Sequence, residues 1–134
     1  MSQQNLELVR RFLAAFARGD FETASSSYSP DAEWVAAEDE PDRSTYRGVT
    51  GLREFVASAA EPWLDRFENV MQFEDFVDCG DWVVAPWTAQ VRGRGSGMPV
   101  DLSETYALRV RGTQIVRVEE YRTREQALEA VERP

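Results

Sequence analysis

The dominant hydrophobic period of this 134-residue chain is about 3.6 in the first half and 2 over most of the second, and few architectures accept that order. Near the N-terminus Leu6, Val9, Phe12, Leu13 and Phe16 recur at steps of three and four, which makes one apolar stripe on a helix that Gly19 ends. Asp20 caps a second, short helix expected to run through Phe21, Ala24 and Tyr28 until Pro30, which has no N–H to donate, stops it. Asp31 to Ala37 reads as a short strand, and residues 38–48, opening with EDEPD, as an exposed loop. A third helix is expected with Thr50 as its cap and Leu52, Phe55, Val56 and Ala59 on its buried side. Pro62 ends it, while Trp63, Leu64 and Phe67 carry apolar surface past that point.

From there strands dominate, at about 68–78, 81–92, 98–111 and 114–122. The turns between them, Cys79-Gly80-Asp81, Gly93 to Gly97 and Arg111-Gly112-Thr113, are short enough to force antiparallel neighbours, so a meander is the simple outcome. Thr123-Arg124-Glu125-Gln126 is a capping box that opens a last helix through Ala127, Leu128 and Val131. Helices first and a meander after them predict one α+β domain over residues 1–134, with helices on one face of a curved antiparallel sheet. A bent sheet covered in this way encloses a cone, and concave apolar spaces are where small molecules bind.

Composition then removes whole chemistries. The chain has neither His nor Lys, all fifteen basic residues are Arg, and Cys79 is the one cysteine. That excludes an imidazole relay, a Schiff base and a thiolate zinc site, so no metal or cofactor is expected and any acid or base is Asp, Glu, Tyr, Cys or water. Cys79 has no Lys or His to lower its pKa and reads as an unactivated thiol. A net charge of -9 argues against nucleic acid, which needs a basic surface. The lone cysteine fits a reducing compartment, and neither a leader peptide nor a membrane-length apolar run is present, so the expected location is the cytoplasm. Glu38, Asp39, Glu40 and Asp42 lack the alternation of a calcium loop and read as a solvated acidic segment.

Four stretches carry a likeness to a known group: LVRRFLAAFARGDFETASSSYSPDAEW, the YRG ahead of the third helix, CGDWVVAPW, and QIVRVEEYRTREQALEAV. Together they resemble the SnoaL-like branch of the nuclear transport factor 2 (NTF2-like) superfamily, which includes ketosteroid isomerases and polyketide cyclases. The resemblance implies a cone-shaped pocket and a homodimer formed through the outer sheet face. It is specific for fold and not for activity, because this scaffold hosts isomerases, cyclases, hydrolases, dehydratases and binding modules. Set against the ketosteroid isomerase pattern, Phe12 stands at the Tyr position, Ala36 at the base and Tyr106 at the second Asp, so steroid isomerisation by that mechanism is not expected. The cyclase pattern, a carboxylate on the last strand and a polar residue on the one before, falls near Glu120 and Tyr106.

The same alignment places Trp87, Ala89, Leu102, Glu104, Tyr106, Val118, Glu120 and Arg122 on the concave face, joined by Trp34, Ala36, Phe12, Phe16 and Phe55. Glu120 and Tyr106 are the candidate catalytic pair; Phe12, Phe16, Trp34, Phe55, Trp87, Leu102, Glu104, Val118 and Arg122 are the candidate pocket. Each has a plainer account. Glu120 and Glu104 read equally as strand charges paired with arginines, and the aromatics as core filling. Two functions therefore stand side by side: a cofactor-independent isomerase, cyclase or lyase acting on a small apolar or aromatic molecule, and a ligand-binding or structural homodimer without turnover.

Overall fold

The fold was analysed in a computed structural model, which describes residues 2–37, 45–63 and 71–132. Helix α1 (Ser2–Ala17) buries Val9, Phe12, Leu13 and Phe16, the stripe read from the sequence. Gly19 ends it at φ 77°, and the Asp20 carboxylate accepts from the Thr23 N–H to cap α2 (Phe21–Ser25).

Here expectation and structure part. Helix α2 stops at Ser25, and Tyr28 opens strand β1 (Tyr28–Val35) instead of closing the helix. Pro30 sits inside β1, in the stretch between Tyr28 and Glu33 where the ladder to the neighbouring strand slips register. A residue without an N–H costs no ladder bond there. The loop expected at 38–48 ends in strand β2 (Thr45–Arg47), and α3 (Gly48–Ala60) starts two residues before Thr50. Gly48 has φ 67°, and a Cβ there would lie 2.9 Å from the Pro30 carbonyl oxygen, so the tight approach of β1 to the start of α3 requires glycine. The acidic stretch at 38–42, and Leu64 and Phe67, lie outside the described residues.

The strand expected over 68–78 is two short ones, β3 (Gln72–Phe73) and β4 (Val77–Cys79), both paired with β5 (Trp82–Arg92). Phe73 opposes Trp87 and Val77 opposes Val84, so three residues on one side face two on the other, and that slip divides the strand. Strands β6 (Pro99–Arg111) and β7 (Gln114–Tyr121) complete the meander, with Gly80 and Gly112 at positive φ in the turns. The sheet order is β2-β1-β7-β6-β5-β3, with β4 also on β5. The β1–β7 pair is parallel, which local turns do not disclose.

Helices α1 to α3 cover one face of this sheet. The last helix, α4 (Arg124–Glu132), packs across β5, β6 and β7. It covers the outer face, where Val84, Thr105 and Ala107 are buried. The Gln126 N–H donates to Thr123 Oγ1 at 3.1 Å, but the Gln126 side chain accepts from the Arg122 N–H, one residue earlier than a standard capping box. Among the described residues no helix is long and apolar enough to cross a membrane.

Candidate functional site

The register of three strands gathers the polar residues of the inner face. Tyr106 on β6 stands opposite Glu120 on β7, Glu104 stands opposite Trp87 on β5, and Val118 lies between Leu108 and Trp34. Because side chains alternate, Glu104, Tyr106, Val118, Glu120 and Trp34 share one face. That face and α3 enclose a cavity of about 470 Å³, within the range of small-molecule sites.

Glu120 is 7% exposed and held on both oxygens: the Trp34 Nε1–H donates to Oε2 at 2.9 Å and the Ala37 backbone N–H to Oε1 at 3.2 Å. Trp34 is itself fixed. It is fully buried, stacked between Phe16 at 5.0 Å and Phe55 at 4.7 Å, with Tyr106 edge-on at 5.1 Å. Burying a carboxylate is costly unless donors meet it, and donors on a rigid ring set its position as well as its charge. The Tyr106 hydroxyl stays protonated far above its ordinary range. Burial is the main cause, the Glu120 and then the Glu104 carboxylates add to it, and the Trp87 indole N–H pulls weakly the other way. That N–H is buried and makes no complete hydrogen bond. Nearer the mouth, Arg122 pairs with Glu104 at 3.6 Å.

Of the residues singled out from sequence, Phe16, Phe55, Trp87, Leu102, Glu104, Tyr106, Glu120 and Arg122 line the cavity, as does Ala36. Phe12, Trp34 and Val118 do not: they lie behind its wall in the core, Phe12 stacked on Tyr28 at 5.4 Å. Tyr46, Ser58, Trp63, Met71 and Asp101 also line it and were not singled out as site residues. Trp63 had a signal, being apolar beyond Pro62; Tyr46 entered only through the YRG likeness, because the loop reading hid β2 and the face it presents. On the outer face Arg117 bridges Glu33 and Glu119. Among the described residues no group of three or more Cys, Asp or Glu side chains is arranged to hold a metal ion.

A curved sheet wrapped on N-terminal helices, with a pocket inside and a short C-terminal helix, is the NTF2-like cone. The SnoaL-like domain model matches residues 9–118, and the chain belongs to that family. An uncharacterized protein of Mycobacterium tuberculosis (strain H37Rv) is 29% identical over 121 residues, covering 87% of each chain. Among solved structures, TerC co-crystallized with polyporic acid superposes with a TM-score of 0.72 at 25% identity over 97% of this chain and 99% of that one. A putative SnoaL-like polyketide cyclase from Jannaschia superposes with a TM-score of 0.74 at 17% identity over 99% and 94%, a likeness of fold.

Proposed function

We propose that this protein binds a small, largely aromatic molecule in the cone, with Glu120 and Tyr106 as the polar pair that orients it. The observation that carries this reading is the Glu120 carboxylate, fixed from behind by Trp34 and Ala37 while also bordering an aromatic cavity of about 470 Å³. A planar ring carrying one hydroxyl or carbonyl suits that arrangement: the ring meets Trp87 and Phe55, and the polar atom meets Glu120 or Tyr106. The co-crystallization of TerC with polyporic acid is consistent with a small molecule on this scaffold. The test is calorimetric titration with 2-naphthol against the protein and its Leu102→Trp variant, which places an indole on the cavity wall. Saturable binding that the variant loses supports the reading, and equal binding by both contradicts it.

A second reading rests on the same pair. A carboxylate across the strands from a phenol that stays protonated is a proton acceptor beside a donor, the elements of enolisation next to a carbonyl. In that reading Glu120 takes the α-proton, the Tyr106 hydroxyl donates to the developing enolate oxygen, and the carbon is reprotonated. Both Glu120 oxygens already accept hydrogen bonds, from the Trp34 indole and the Ala37 backbone N–H, which ties the carboxylate to holding a position, so binding is the primary proposal. Deuterium exchange at the α-carbons of 2-tetralone, followed by NMR, separates the two: turnover requires acceleration by the protein that Glu120→Gln abolishes while affinity is nearly kept. The proposal includes a homodimer through outer sheet face that α4 leaves uncovered, to be checked by light scattering; a monomer at every concentration contradicts it.

A further inference from the structure

The walls of the cavity combine two features that recognise the same kind of charge. Phe16, Tyr46, Phe55, Trp63, Trp87 and Tyr106 present aromatic rings to it. Among the described lining residues the charged groups are Asp101, Glu104 and Glu120 against Arg122, three carboxylates to one guanidinium. Carboxylates attract a cation and repel an anion, and a ring adds to this wherever its face, the negative end of its quadrupole, meets the ligand. We infer that the ligand of this pocket is cationic, a protonated or quaternary amine on an aromatic or apolar body. This rests on the small-molecule reading above and narrows its ligand class.

Three further observations agree. The Arg122 guanidinium, the one positive group of the described lining, lies within 3.6 Å of the Glu104 carboxylate, so that pair is close to neutral and the lining keeps an excess of two carboxylates. The Tyr106 hydroxyl, buried within the same wall, is driven towards its neutral form partly by Glu120 and Glu104, a local sign of negative potential. The chain as a whole carries a net charge of -9 with no lysine, so the long-range field also favours approach of a cation.

The experiment compares three probes of one shape: phenyltrimethylammonium, the uncharged isostere tert-butylbenzene, and benzenesulfonate. Binding is read from the tryptophan indole N–H signals of ¹⁵N-labelled protein by NMR. The inference expects the ammonium to bind about tenfold more tightly than tert-butylbenzene and benzenesulfonate to bind more weakly than either. Raising NaCl from ~20 to ~300 mM weakens the ammonium alone. Glu104→Gln, which lowers the carboxylate excess, is expected to reduce ammonium affinity at least about threefold and leave tert-butylbenzene unchanged. Equal or tighter binding of the neutral probe, or preference for the sulfonate, overturns the cationic assignment while leaving small-molecule binding intact. Absence of binding by all three overturns both.

Discussion

Replacing Trp34 by Phe removes one donor from a buried carboxylate while keeping an aromatic ring between Phe16 and Phe55, and the cost can be worked out from the geometry. The lost bond is 2.9 Å long and goes to a charged acceptor, a class worth about 2 kcal/mol. Shrinking a fully buried indole to a phenyl ring adds about 1 kcal/mol for the space left behind. The sum is about 3 kcal/mol, which for a domain of this size lowers Tm by about 10 °C. Glu120→Gln puts an amide NH₂ where one of two N–H donors already points, for about 1–3 kcal/mol. The double variant is expected to fall short of the sum of the singles by about 1.5 kcal/mol, because the bond can be lost only once. Urea unfolding of the four proteins, with fluorescence and circular dichroism as parallel probes, measures the cycle. A Trp34→Phe cost below about 1 kcal/mol together with additive singles would refute the claim that Trp34 fixes Glu120.

Alkali gives a second test, in which burial is the main cause of the raised pKa values of Tyr28 and Tyr106. Groups whose folded pKa lies above the unfolded one near 10 contribute stability that is complete below pH ~10 and lost as pH rises past it. Stability should fall by about 2.7 kcal/mol per pH unit there, with both phenols ionising only on unfolding as read at 295 nm; a flat profile to pH ~12 contradicts this. Gly51→Ala should destabilise by about 1–3 kcal/mol in urea, since a Cβ at that position falls 2.8 Å from the Tyr46 backbone, and a neutral result would mean that β2 and α3 are not packed as described. Trp87→Phe removes a buried N–H that makes no complete hydrogen bond, so its stability cost should stay near 1 kcal/mol, and a loss above about 3 kcal/mol would show that the N–H has a partner.

What could be read from the chain alone follows the range of the interactions concerned. Helix α1 was legible because its stripe is periodic and Gly19 ends it, and the β5–β6–β7 meander because two-residue alternation and glycine turns are local signals. Pro30 misled because a proline normally ends an element; its tolerance inside β1 depends on a register slip against β7, more than eighty residues away in sequence. The parallel β1–β7 pair, strand β2 and the division of β3 from β4 are of the same kind, set by partners that no local pattern names. The family likeness put Glu104, Tyr106 and Glu120 on one face, and the alternation of β6 and β7 in the structure agrees with it. The likeness was not enough to tell wall from core: Trp34 and Glu120 are both inner-face residues, yet one is fully enclosed and the other borders the cavity, which depends on where α3 and Phe55 pass. The donor set on Glu120, one indole from β1 and one backbone N–H at Ala37, likewise exists only once β1 is laid beside β7.

The most direct test of ligand binding in the cone is a crystal structure of the protein soaked with 2-naphthol. The account predicts the fused ring against Trp87 and Phe55 with its hydroxyl within hydrogen-bonding distance of Glu120 or Tyr106. A ring bound elsewhere, or side chains from α3 and β6 closing the space beside Glu120, would contradict it.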